Sequence, residues 1–179
     1  MTFKKRKNPQ KKHRIEKLKS EIAPKGPHSN ILVLDGLKPT FNIGKIFRSA
    51  QALGVQEVFL VNIPFFDPYP AKGAFKQTKS RTFETFPEAH AALQEEGFQS
   101  FYLDPKAEGV LGVVELPKKC AFVLGHEEFG LSFDPGDYPD MCGLKIAQFG
   151  QVESMNVAVA ATLACFEYTR QHVLSALNP

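Results

Sequence analysis

Residues 150–171 read GQVESMNVAVAATLACFEYTRQ, a polar loop that turns abruptly into an alanine-rich helix. Ser154 stands where a helix N-cap is expected, its hydroxyl placed to accept from a free backbone N–H of the first turn. Met155, Val159, Leu163 and Phe166 recur at helical spacing, while Ala158, Ala160, Ala161 and Ala164 permit close backbone approach. One face of this helix is therefore expected to be deeply buried. Asn156 falls just inside the first turn, where unpaired N–H groups and the positive end of the helix dipole favour a polar or anionic ligand. Two accounts of the segment stand side by side: a capped core helix, or the edge of a small-molecule site.

Working back from this helix, strand-like and helix-like segments alternate, which is the signature of an α/β domain. ILVLDG (31–36) reads as a buried strand ending in a turn, and NIGKIFRSAQALG (42–54) as a helix capped by Asn42 and stopped by Gly54. EVFLVN (57–62) is a second strand. A long Pro/Phe/Lys loop runs to about Ser80, then come a short strand near 82–86 and a helix over 87–96 with proline in its first turn. QSFYLD (99–104), the GVLGVVEL stretch, CAFVLG (120–125) and GLKIAQ (143–148) supply further strands. No internal repeat or low-complexity segment interrupts the pattern.

At 179 residues the prior is one domain, large enough to bury a core without disulfides or metal. Cys120, Cys142 and Cys165 are isolated and odd in number, so the spacing suggests neither a disulfide framework nor a zinc site, and the expectation is a reduced, cytoplasmic protein with no metal. The basic start is followed by no apolar run of signal-peptide or membrane-spanning type, so no membrane role is expected. Charge is unevenly spread. The first 30 residues carry ten of the 22 Lys and Arg against Glu16 and Glu21, a net +8, leaving the rest at −5. Lys4, Lys5, Arg6, Lys7, Lys11, Lys12 and Arg14 lie in a segment poor in apolar residues, read as a flexible tail over 1–29 that attracts a polyanion, with nucleic acid the natural partner. A solubilising terminus is the rival account. Lys72, Lys76, Lys79 and Arg81, interleaved with Phe75 and Phe83, offer phosphate contacts beside stacking surfaces, unless the phenylalanines fold onto the core.

Three distant segments each end a strand and begin a turn or helix: NIGKIFRS (42–49), LGHEEFGLS (124–132) and IAQFGQVESMN (146–156). Ligands of open α/β sheets gather outside such carboxyl ends. Neither GxGxxG after the first strand nor GxxxxGK[ST] is present, so the usual dinucleotide and P-loop cradles are missing. The three segments resemble the motifs of the SpoU/TrmH-type RNA ribose 2'-O-methyltransferases of the SPOUT superfamily, over about residues 31–172. The first appears as Asn42 and Arg48, the second as Gly125, Glu127, Gly130, Leu131 and Ser132, the third as Ser154, Met155 and Asn156.

The resemblance implies an α/β knot over 30–179: a mostly parallel sheet flanked by helices, its C-terminal segment threading a trefoil knot. It further implies a homodimer with the active site at the interface. S-adenosyl-L-methionine would be lined by Leu103, Gly125, Ile146, Ser154 and Met155, with the glycine suiting close backbone approach. Methyl transfer to a ribose 2'-hydroxyl of tRNA or rRNA would rest on Arg48, which orients the ribose and stabilises the developing alkoxide, supported by Asn42, Glu127, Ser154 and Asn156. Glu127 is expected to partner a guanidinium. Gly130 is expected to shape a turn, and His126 is left unassigned. One departure stands out, since Ala147, Gln148 and Phe149 replace the proline and methionine that the family usually writes after the isoleucine. Two rivals remain: a noncatalytic RNA-binding or ribosome-assembly factor that keeps the fold, and a methyltransferase acting on a base atom.

Overall fold

A computed structural model describes residues 8–176 of the chain. Seven strands form one sheet: β1 (His28–Asp35), β2 (Val55–Val61), β3 (Ser80–Phe83), β4 (Gln99–Leu103), β5 (Gly109–Val110), β6 (Cys120–Leu124) and β7 (Cys142–Lys145). Their spatial order is β3-β2-β1-β6-β4-β7-β5, and every pairing is parallel. From β1 the chain winds outward to β2 and β3, then crosses to β4 on the other side, and β6 later fills the gap between β1 and β4. That reversal of winding direction leaves a crevice at the strands' carboxyl ends.

Side-chain alternation along the central strands explains the layers. Leu32 and Leu34 of β1 and Val58 and Leu60 of β2 pack with helices α2 (Phe41–Ala52) and α4 (Val157–His172) on one face. Ile31, Val33, Phe59 and Val61 pack with α3 (Phe86–Glu95) on the other. GVLGVVEL gives only the two residues of β5, because Gly112 at φ +97° turns the chain and the Val110 carbonyl accepts from the N–H groups of Val113 and Val114.

Both expected helix caps lie elsewhere. Thr40, in extended conformation, caps α2 by accepting from the backbone N–H of Asn42, so the Asn42 side chain is released for other contacts. Asn156, not Ser154, caps α4, its Oδ1 accepting from the Ala158 N–H at 2.9 Å. The buried face of α4 is also the other one. Val157, Ala158, Ala161, Ala164, Cys165 and Tyr168 are buried, whereas Val159 and Phe166 are each 47% exposed. Small side chains let this helix approach the sheet and α2 closely, with Tyr168 taken inside and Val159 and Phe166 left facing outward.

The expected flexible tail contains a helix, α1 (Pro9–Glu21). Asn8 caps it, accepting from the N–H groups of Gln10 and Lys11, and Pro9 suits its first turn. Its inward face is polar: His13, Glu16 and Ser20 are buried. The Ser20 hydroxyl donates to the Thr78 carbonyl at 2.5 Å and meets Ser80 Oγ at 2.6 Å. The His13 ring sits among Phe65, Phe66 and Phe75, with centroids 4.9–5.5 Å away. Burial, helped by nearby Lys17, pushes the imidazole down to about 4 from an ordinary 6.5. The folded state thus favours neutral His13, and its contribution to stability is complete above pH 6.5 and lost as pH falls toward 4. A melting temperature that declines across this window, with the decline reduced in His13→Leu, is the expected result. Lys4, Lys5, Arg6 and Lys7 lie outside the described residues.

Candidate active site

The carboxyl ends of three adjacent strands, β6, β4 and β7, open toward the N-terminus of α4, and a cavity of about 480 Å³ lies among them. This size is within the range of small-ligand sites, roughly 300–1,000 Å³. Leu103 at the end of β4 pairs in register with Leu144 of β7, and Leu124 ends β6 beside them. Each strand end therefore contributes an apolar wall residue. The loops that follow, residues 125–132 and 146–156, close the rest.

All three motif segments converge here. Asn42, Glu127, Ser154 and Asn156 line the cavity, as do Leu103, Gly125, Ile146 and Met155. A hydrogen-bond chain joins the segments: Asn156 Nδ2 donates to Asn42 Oδ1 at 3.2 Å, and Asn42 Nδ2 donates to Glu127 Oε1 at 3.1 Å. Glu127 Oε2 accepts from the Lys38 backbone N–H at 3.0 Å. Within the chain, then, Glu127 partners an amide and a backbone group rather than a guanidinium. Because Asn156 Oδ1 is spent on capping α4, its amide donor is aimed, and the whole polar edge is registered to the helix N-terminus.

Arg48 is the exception. It is exposed on α2, six residues past Asn42, and it does not line the cavity. No hydrogen bond or ion pair engages it among the described residues.

The 125–132 loop is held from both ends. His126 and Gly130 exchange backbone hydrogen bonds at 2.7 and 2.9 Å, and Gly130 takes φ +75°, the turn role expected of it. A Cβ at Gly125 would lie 2.5 Å from the Gly130 carbonyl carbon. Close approach of backbone to backbone therefore explains glycine at 125. Ser132 donates from its backbone N–H and from its hydroxyl, both at 2.7 Å, to the carboxylate of Asp35, which is 1% exposed at the end of β1. Motif residue Ser132 is thus an anchor for the loop.

Several lining residues escaped the sequence reading. Leu124, Leu144, Val157 and Ala160 line the cavity, and only their position beside strand ends and a helix start marks them; motif residue Leu131 lines it as well. His126 lines it too; its Nδ1 accepts from the N–H groups of Glu128 and Phe129 at 3.1 and 3.2 Å, so the proton of the neutral ring sits on Nε2. Gln148 lies at the wall with its Oε1 buried and accepting no hydrogen bond among the described residues.

The expected phosphate contacts divide. Lys11, Arg14, Lys72 and Lys76 are exposed. Lys12 lies over the Tyr69 ring at 3.8 Å, and Lys79 Nζ donates to the Glu21 carbonyl. Arg81 grips fully buried Glu57 through Nε and Nη2 at 2.9 and 3.1 Å and also Glu96 at 2.5 Å, so it is a structural ion-pair residue. Phe75 is fully buried and Phe83 packs on Phe59, so neither ring is a free stacking surface. No helix among the described residues is long and apolar enough to cross a membrane.

Residues 29–166 match the model of the SpoU rRNA Methylase family. The chain is 32% identical to a 23S rRNA (guanosine-2'-O-)-methyltransferase RlmB of Xylella fastidiosa, covering 88% of this chain and 65% of that protein. It is 30% identical to a tRNA (guanosine(18)-2'-O)-methyltransferase of Thermus thermophilus, covering 93% and 86%. The chain thus spans slightly less than two thirds of the rRNA relative. A solved structure concerned with 2-OH methylation of C/U34 on tRNA superposes with a TM-score of 0.72 at 26% identity, over 84% of this chain and 99% of that one. The TrmH/SpoU tRNA modifying enzyme of A. aeolicus shares the fold at a TM-score of 0.75 and 22% identity, over 92% and 85%.

Proposed function

The chain belongs to the SpoU rRNA methylase family, and on that premise we propose that it transfers a methyl group from S-adenosylmethionine to a ribose 2'-hydroxyl in tRNA or rRNA. The observation that carries this reading is the convergence of three segments, 42–49, 124–132 and 146–156, on one cavity joined by the Glu127–Asn42–Asn156 hydrogen-bond chain. A noncatalytic factor has no need of that chain.

The cavity's composition fits the cofactor. Apolar walls from Leu103, Leu124, Leu144 and Ile146 suit a purine ring, and the polar edge of Asn42, Glu127, Ser154 and Asn156 suits the reacting end. S-adenosylmethionine supplies an electrophilic sulfonium methyl group. The protein's part is alignment, since holding the 2'-hydroxyl in line with that methyl contributes several kcal/mol. Arg48 presents five N–H donors and stays charged, so it stabilises the developing alkoxide and does not act as the base.

Because Arg48 stands away from its own cavity, the reading includes a homodimer in which a second copy brings the arginine. Support comes from the outward side of α2 and α4, which pack together through the Thr162–Ser49 hydrogen bond at 2.7 Å. Phe41 on α2 is 57% exposed, and Val159 and Phe166 on α4 are each 47% exposed. Such unpartnered apolar side chains suit a protein interface. Family membership also supports a trefoil-knotted C-terminal segment: β7 lies outside β4, yet α4 returns to pack on β1, β6 and α2. RNA capture is assigned to Lys4, Lys5, Arg6, Lys7, Lys11, Arg14, Lys72 and Lys76, and the site of action to the cytoplasm.

The test is incubation of the purified chain with S-adenosylmethionine and total RNA from a strain lacking it, followed by digestion and mass spectrometry of the nucleosides. A gain of one 2'-O-methylnucleoside is expected. No gain and no cofactor binding would favour the noncatalytic factor, cofactor binding without gain would point to a missing substrate or partner, and a base-methylated product would replace the acceptor atom.

A further inference from the structure

Phe129 stands on the 125–132 loop beside the cavity and is 80% exposed. Its ring is nonetheless mounted: it stacks on His126, with centroids 4.7 Å apart and planes at 25°. His126 lines the cavity and is itself held, since its Nδ1 accepts from the backbone N–H groups of Glu128 and Phe129. One face of the Phe129 ring is thus backed and the other is open to water. Keeping a large apolar ring in water forgoes the stabilisation of burial, so a ring presented this way suits a partner that arrives later. Phe149, 98% exposed on the other loop that bounds the cavity, stacks on no ring among the described residues.

The chemistry of the acceptor says what arrives. A ribose 2'-hydroxyl presented to the polar edge at Asn42 and Glu127 carries its base on C1', the carbon next to the reacting C2'. That base therefore lies at the cavity mouth, and Phe129 is two residues beyond Glu127. Bases drawn out of an RNA stack are held on aromatic faces. A second copy of the chain suits this spot less, because interface centres are depleted in charge, and Phe129 follows exposed Glu127 and Glu128, the latter paired with Lys38.

We propose that Phe129, backed by His126, is the platform on which the base of the target nucleotide stacks. This rests on the ribose-methylation reading above. Every base has a π-face, so the contact adds affinity and orientation without selecting the nucleotide.

Initial rates of methyl transfer by the full-length chain test this, with S-adenosylmethionine saturating and total RNA from a strain lacking the protein as the varied substrate. Phe129→Leu removes the π-face and keeps most of the apolar volume, whereas Phe129→Tyr keeps the face. Stacking made equally before and in the transition state is uniform binding. Phe129→Leu is therefore expected to raise the apparent KM for RNA about tenfold with kcat within about twofold, and Phe129→Tyr to stay within about twofold of wild type in both. Calorimetric affinity for S-adenosylhomocysteine, the melting curve and sedimentation are expected to be the same for all three proteins, which a purely structural role would not allow. An unchanged KM in Phe129→Leu overturns the assignment, as does a rise shared equally by Phe129→Tyr. A rise in KM accompanied by weaker self-association overturns it too, and gives the ring to a contact between copies. These outcomes leave the ribose-methylation reading intact. A folded wild-type chain that neither binds S-adenosylhomocysteine nor methylates RNA overturns that reading, and the assignment with it.

Discussion

Arg48→Ala is expected to lower ribose methylation by about 10³-fold, read as 2'-O-methylnucleoside formed per unit time, while affinity for S-adenosylmethionine stays within about twofold. Both halves follow from position. Arg48 is exposed, engages no partner among the described residues and does not line the cavity of its own chain. Its removal therefore leaves cofactor binding alone. On the proposed reading, what is lost is a permanently charged fork of donors for the developing negative charge. Arg48→Lys is expected to fail as well, because an ammonium does not reproduce that planar geometry. A homodimer that shares the arginine would give a sharper readout. In Gly125→Val chains the new side chain would collide with the backbone of Gly130, so their cavity is disrupted while their Arg48 is intact. Mixed with Arg48→Ala chains, they should restore part of the activity, each type supplying what the other lacks. Mixtures as inactive as either component would count against an arginine donated by the second copy.

Arg81→Ala is expected to destabilise the fold by about 3–5 kcal/mol, measured by urea or thermal unfolding. Glu57 on β2 is fully buried, and Arg81 on the edge strand β3 holds both of its carboxylate oxygens. Taking away the guanidinium strands a charge in the interior, which is far more damaging than losing an exposed pair. The Arg81 guanidinium also covers the Phe59 ring at 4.4 Å and bonds Glu96, which joins α3 to the sheet edge. The double variant Arg81→Met with Glu57→Leu should recover much of the loss, since it removes the stranded charge. Recovery of stability without any change in RNA affinity would separate this residue from phosphate binding, to which its basic neighbours invite its assignment.

Much of the architecture was legible because it is written in short-range pattern. Alternating strand and helix segments specify an α/β sheet, and apolar runs such as ILVL and CAFVL mark strands buried on both faces. Three motif segments were legible as one site only through resemblance, since nothing local says that residues 42, 127 and 156 meet. The caps were misplaced by two residues at both helices for a physical reason. Threonine and asparagine are both capable caps, and tertiary contacts decide which of two neighbours serves. At α2 the Asn42 side chain is claimed by Glu127 and Asn156, so Thr40 does the capping. Burial on α4 was expected at Val159 and Phe166, whereas close helix packing selected its small residues together with Tyr168. Helix α1 escaped notice because its inward face is polar, the reverse of the usual amphipathic signal. Likewise Arg81 reads as one more cation in a basic loop until buried Glu57 is seen across from it.

The placement of β6 has a consequence for how this chain comes into being. β1 is flanked by β2, which follows soon after, and by β6, whose last residue is 124 of 179. During synthesis the Ile31–Leu34 edge therefore waits, unpaired on one side, while about ninety further residues emerge from the ribosome. A bare parallel edge of four large aliphatic residues invites pairing with the wrong strand. The nascent protein is thus most exposed to aggregation midway through translation, and its yield should depend on chaperones that shield one particular strand for that interval.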